Sequence, residues 1–209
     1  MSDKSGAGRP ASFARDDAIA RAMQLFWREG YLSVSASDLA NAMNIQRSSF
    51  YNTFGSKEAV FREALRQYAR LSPDAALEAI LPDQPVVPAV VATLRELCRV
   101  RSADKDARGC LVCNSIAELV GVDAELGALL DGAVRHRISV MEKLFARAIR
   151  QGEFDPPAPA PELARAFVTF LLGINVASKS IRSEQELWAI CRTFLRGLGM
   201  PDAGDRLAG

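Results

Sequence analysis

Apolar residues recur at intervals of three and four along nearly the whole of this chain, and that spacing commits it to helices. Period-2 alternation is missing, and so are the Asn-Gly and Asp-Gly pairs that close tight hairpins. The pattern predicts an all-α protein of about nine helices. Residues 1–13 are polar and bear Gly and Ser, and read as a flexible tail. A first helix is expected over about 15–29, with Ile19, Ala22, Met23 and Phe26 on one face and Gly30 as its stop. Ser35-x-x-Asp38 is an acidic capping box that opens a second, short helix. Asn44 suits the left-handed turn that would end it. A third short helix covers about 47–54. Gly55 breaks it, and Ser56 caps a fourth helix running to about residue 71.

Beyond this point Pro73, Pro82, Pro85 and Pro88 mark a loosely structured connection, or a helix entered through proline. Helices are then expected near 88–101, 110–120, 123–151, 162–178 and 184–198, with a proline-rich break at 155–161. The organisation is a tail over 1–13, a three-helix head with its connecting helix over 14–70, and a larger helical body over 71–209.

Charge narrows the function only slightly. The 209 residues carry a formal net charge of +1, so any affinity for nucleic acid must come from local charge. Residues 1–70 hold 10 Lys/Arg against 7 Asp/Glu, and the remainder holds 16 against 18. A cationic head on a slightly acidic body fits. No apolar run of the ~20 residues needed for a membrane span is evident, nor a signal peptide, so a cytoplasmic location and no membrane partner are expected. Cys98, Cys110, Cys113 and Cys191 are then expected to be free thiols.

Two helices of seven or eight residues joined by a short turn, as over 35–54, have the dimensions of a helix-turn-helix. Leu39, Ala40, Met43, Ile45 and Phe50 would pack the pair. The other face of the third helix offers Gln46, Arg47, Ser48, Ser49, Tyr51 and Asn52, all able to hydrogen-bond. By periodicity alone such a face could equally meet only water. Lys57 stands in the first turn of the fourth helix, where the helix dipole disfavours a cation unless a phosphate lies opposite.

The string Leu25-Phe-Trp-Arg-Glu-Gly-Tyr31, then Ser35-Ala-Ser-Asp-Leu-Ala40, then Phe50-Tyr51, Phe54 and Ser56-Lys-Glu58 resembles the DNA-binding head of the TetR family of repressors. The resemblance is contiguous over about residues 14–70. It implies that helix 47–53 is a recognition helix in the major groove, with Tyr51 and Lys57 on phosphates. Arg47, Ser48, Ser49 and Asn52 would make the base and backbone contacts. The chain departs from the family's usual residues at Asn44, Gln46, Ser48 and Thr53. Arg9, in a Gly-Arg-Pro context, is a candidate for the minor groove; a solvated tail explains it as well. The implied partners are a double-stranded, palindromic DNA operator and a small-molecule effector, and the protein would act as a homodimer.

The resemblance further implies that the last two helices form the dimer interface. Phe167, Phe170, Leu171 and Ile174 would contribute from one, and Trp188, Cys191, Phe194 and Leu195 from the other. Plain core packing accounts for the same broad stripes. In the body, Arg108-Gly-Cys-Leu-Val-Cys-Asn114 places Cys110 and Cys113 three apart on one helix face, and Cys98 on the preceding helix could lie near. Three readings of these effector-sensing candidates stand side by side: small buried hydrophobes, a reactive thiol at Cys110 favoured by Arg108 and the first helical turn, or a soft-metal pair. The Arg-Gly-Cys-Leu element resembles one in a TetR subgroup that includes regulators responsive to electrophiles, small unsaturated acids and copper. The cysteine matching Cys110 is the sensing one there.

No cofactor is implied. The single His136 inside a long helix supplies no Ser-His-Asp or metal constellation, which argues against an enzyme. The competing classes are a helical thiol enzyme and an effector-independent DNA-binding adaptor.

Overall fold

The computed structural model describes residues 11–200, with side chains from Arg15 onward, so Arg9 lies outside the described residues. Among them are nine α-helices and one 3-10 segment, with no strand. The chain divides into two compact units at Arg70/Leu71.

The first unit contains α1 (Ala11–Glu29), α2 (Ala36–Met43), α3 (Arg47–Phe54) and α4 (Lys57–Leu71). Its core is aromatic. Phe26 meets Phe61 edge-on with ring centroids 5.0 Å apart, and Tyr31 lies 4.7 Å from Phe61. Val34, Leu39, Ala40, Met43, Phe50 and Phe54 extend this core beneath α2 and α3. Each fully buried Phe contributes about 2 kcal/mol from apolar area alone.

The second unit begins with the 3-10 segment Pro73–Ala79, entered through Pro73. It continues through α5 (Val86–Ala103), α6 (Leu111–Leu119), α7 (Ala124–Arg150), α8 (Ala160–Ala177) and α9 (Glu184–Gly197). The helix α5 starts ahead of Pro88, because a proline in the first turn gives up no intrahelical hydrogen bond. Helices α7 and α8 pack along each other, and α5 packs on α9. Phe145 and Phe167 meet edge-on at 5.5 Å in the centre. Met141 and Phe145 are wholly enclosed in this core.

By length and composition, α8 is the one helix among the described residues that could cross a membrane. Glu162 and Arg165 interrupt its apolar run. Here Leu163, Ala164, Phe167, Val168, Leu171 and Ile174 are buried in the protein's own core.

Two polar devices hold the body together. The Glu153 carboxylate, after α7, accepts the Val86 and Val87 N–H groups at 3.0 and 2.8 Å, so a distant residue caps α5. Arg101 is almost completely buried, and its Nε donates to Asn175 Oδ1 at 2.7 Å. Asn175 Nδ2 in turn donates to the Leu171 carbonyl at 2.8 Å. A buried guanidinium is tolerable only when its donors are met.

Replacing Glu153 by Ala leaves two N-terminal amides of α5 without their carboxylate. The expected cost is about 1–2 kcal/mol in urea unfolding, with faster hydrogen exchange at Val86 and Val87.

Candidate functional site

The turn between α2 and α3 is built by local chemistry. Ser35 Oγ accepts the Asp38 N–H at 3.2 Å, and the Asp38 carboxylate accepts the Ser35 N–H at 2.9 Å and its hydroxyl at 2.6 Å. These bonds from Ser35 hold the Asp38 carboxyl below its ordinary value. Asn44 ends α2 with φ 59° and ψ 47°, the left-handed conformation an amide side chain tolerates. The chain then reverses, and the Ile45 N–H donates back to the Ala40 carbonyl at 3.0 Å.

The eight residues of α3 split cleanly. Phe50 and Phe54 point into the head, while Arg47, Ser48, Ser49, Tyr51, Asn52 and Thr53 are exposed. The Arg47 guanidinium lies 5.8 Å from the Tyr51 ring centre, on the same outer face. Lys57, half-buried at the start of α4, sets its ammonium 4.1 Å from the Tyr31 ring centre, a cation–π contact that fixes where its charge sits.

Arg15 completes the arrangement, and nothing in the sequence pattern singled it out. Its Nη1 donates to the Thr53 carbonyl at 3.0 Å at the end of α3, and its Nη2 meets Glu63 of α4 at 2.6 Å. The guanidinium also lies 4.6 Å from the Phe54 ring centre. One side chain of α1 therefore ties down the last turn of α3. A basic residue four positions before an apolar stripe gives no signal of that role.

In the body, the loop before α6 is shaped by Asp104 and Arg108. The Asp104 carboxylate accepts the Arg108 N–H at 2.9 Å and its guanidinium Nη2 at 3.0 Å. Ala107 and Gly109 both take positive φ, 53° and 68°. A Cβ on Gly109 would stand 3.0 Å from the Asn175 carbonyl oxygen, so α8 and this loop approach as closely as glycine allows. Cys110 follows as the N-cap residue of α6. Cys110 and Cys113 are both buried and hydrogen-bonded to each other; that bond and burial push the Cys113 thiol far up, so it keeps its proton.

Two expectations about the thiols change here. The charge of Arg108 is engaged by Asp104, so its effect on Cys110 is weakened. Cys98 does not join the Cys110–Cys113 pair: its Sγ lies 3.6 Å from Cys191 Sγ, because Cys98 is on the face of α5 that packs on α9. Among the described residues no group of three or more His, Cys, Asp or Glu is placed to hold a metal ion.

The candidate interface residues also separate. Phe167, Leu171, Ile174, Cys191 and Leu195 are buried within this single chain, because α8 and α9 turn their widest apolar faces toward α5 and α7. Phe170, Trp188 and Phe194 are half-buried. Phe170 and Phe194 stack in parallel with centroids 3.8 Å apart. With Ala189, Ile190 and Thr193 they line an open apolar groove of about 460 Å³. The sequence stripes did not reveal this outer face, since core and surface residues of one helix are equally apolar there.

A short helix braced from below and polar above, set after a capped partner helix and a left-handed turn, defines a helix-turn-helix DNA-binding protein. The model of the bacterial regulatory proteins of the tetR family matches residues 18–64, and that of the tetracyclin repressor-like C-terminal domain matches residues 87–194. The chain belongs to the TetR family and is a DNA-binding transcriptional regulator.

It is 24% identical over 194 residues to the HTH-type transcriptional repressor ComR of Escherichia coli (strain K12), covering 92% of each chain. It is 29% identical over 203 residues to the transcriptional regulator AcuR of Cereibacter sphaeroides, covering 90% of this chain and 89% of AcuR. Among solved structures, a cysteine mutant of the TetR family regulator CifR complexed with 26-bp double-strand operator DNA superposes with a TM-score of 0.78. The two are 31% identical, with 90% of this chain and 98% of that one covered.

The acid response of the body follows from Asp104. Burial raises its carboxyl, but the side-chain and backbone bonds to Arg108 outweigh that and hold it below its ordinary value. A depressed folded value stabilises the protein above the unfolded value of about 3.9 and loses that contribution as pH falls through the folded one. Asp104→Asn is therefore expected to lower stability at pH 7 and to flatten the loss below about pH 4, as read by urea titrations along a pH series.

Proposed function

We propose that this regulator is a homodimeric repressor that reads a palindromic operator with α3 and is released when a small molecule or electrophile acts on the body. The observation that carries the reading is the two-sided build of α3. Phe50 and Phe54 anchor one face, and Arg47, Ser48, Ser49, Tyr51 and Asn52 stand clear on the other. Ser48 and Ser49 are short enough to let the helix approach base edges, and Arg47 and Asn52 carry the donors that read them. Tyr51 and Lys57 would meet phosphates on either side, with Arg9 a further candidate for the minor groove.

A second copy would be met by the outer faces of α8 and α9. The stacked Phe170–Phe194 pair, Ile190 and Trp188 support that assignment better than the enclosed residues do. Two heads about one helical turn apart would then read the two half-sites.

For release, Cys110 is the assigned sensing residue. It opens α6 as its N-cap residue, and it is hydrogen-bonded to its buried neighbour Cys113, which retains its proton. An adduct there must fit one conformation of the dimer better than the other, since only differential affinity shifts an equilibrium. The ComR relative is named a repressor, and CifR binds operator DNA; both support the sign and the target of the reading.

Selection of bound DNA from a random pool is expected to return a palindrome. On that site Tyr51→Ala should bind about tenfold more weakly (~1.4 kcal/mol). Lys57→Ala should lower the salt slope of log affinity by about 1. Failure of the wild type to bind any duplex at low salt would sink the assignment.

A thiol-reactive electrophile such as N-ethylmaleimide is expected to release the wild type from the selected DNA and to leave Cys110→Ser bound. Equal release of both moves the sensing site elsewhere in the body.

A further inference from the structure

The second pair of thiols lies apart from the sensing assignment and has a chemistry of its own. Cys98 on α5 and Cys191 on α9 are 93 residues apart in sequence, yet their sulfurs face each other at 3.6 Å across the contact between the two helices. A surface groove of about 610 Å³, lined by Arg95, Ser183, Glu184, Gln185 and Trp188, abuts Cys98, whose side chain is itself buried. Its mouth is framed by the Arg95 guanidinium, 4.0 Å from the Trp188 ring centre.

We infer that Cys98 and Cys191 form a modification site in which a peroxide, entering by this groove, converts the two thiols into a disulfide joining α5 to α9. The Cys98 thiolate attacks the outer oxygen of the peroxide. The O–O bond breaks, the departing oxygen leaves as an alcohol or water after taking a proton, and Cys98 becomes a sulfenic acid. The Cys191 sulfur then attacks the Cys98 sulfur, and the S–O bond breaks. The leaving hydroxide takes the Cys191 proton as water. In sum, two thiols and one peroxide give one disulfide, one alcohol or water and one further water; the sulfurs are oxidised by two electrons and the peroxide is reduced by two.

The electrostatics assign the roles. The hydrogen bond from Cys191 pulls the Cys98 thiol below its ordinary value, and the same bond together with burial pushes Cys191 far up. Cys98 is thus the nucleophile and Cys191 the resolving thiol. Sulfurs already in contact need close only to about 2.05 Å, a change that side-chain rotation and a small helix shift supply. That shift falls on α9, whose other face carries Ile190, Thr193 and Phe194.

The test uses the full chain as Cys110→Ser, Cys113→Ser, so that only this pair can react. After hydrogen peroxide, alkylation of remaining thiols and digestion, mass spectrometry is expected to find a Cys98–Cys191 linked peptide and an intact mass lower by two hydrogens. In the same background with Cys191→Ser, Cys98 should stop at a sulfenic acid that dimedone traps. Two free, alkylated thiols after peroxide would overturn the inference. So would a disulfide formed only between chains, or only at urea concentrations that unfold the protein. None of these readouts uses DNA, so the outcome is independent of whether Cys110 senses an effector.

Discussion

A helix of eight residues does not hold itself together in water, since nucleation costs more than so few hydrogen bonds return. In the proposed reading, contact with DNA depends on α3 being held, and the hold comes from Phe50 and Phe54 sunk into the aromatic core of the head. The polar side chains above are free to contact a duplex because two aromatic ones beneath are not free to move. Arg15 adds a lateral tie at the end where α3 would otherwise fray, and the Ser35–Asp38 box fixes the start of its partner helix. The exposed face of α3 is held from below by Phe50 and Phe54 and from the side by Arg15.

The body solves a different problem. Its five helices bury most of their apolar surface, yet the interior admits a guanidinium, an amide and two pairs of thiols. Arg101 with Asn175 is satisfied by its neighbours, which converts a costly burial into a fixed geometry between α5 and α8. The loop before α6 threads beside the same segment of α8 through Gly109. A change at Cys110 would therefore be felt first by a backbone that has no slack.

Much of this was legible in the sequence because it is local. Capping residues, a left-handed Asn44 and the alternation of buried and exposed positions in α3 are short-range signals, and the structure places them as the pattern predicted. What the sequence did not disclose is long-range. Arg15 reaches a carbonyl 38 positions away, and Glu153 caps a helix that begins 67 positions before it. The pairing of Cys98 with Cys191 depends on which helix lies beside α5, and periodicity is silent about neighbours. The candidate interface shows the same limit: an apolar stripe says that a face is covered, not whether its own chain or another covers it. Leu171 and Phe170, adjacent in sequence, fall on opposite sides of that question.

Glu153 has a consequence for how the body opens. Its carboxylate belongs to the link that follows α7, but its partners are the first amides of α5. The leading turn of α5 therefore cannot unravel unless that link is released as well, and the link cannot wander while the turn is wound. Two segments distant in the chain are thereby fused into one cooperative unit of local unfolding.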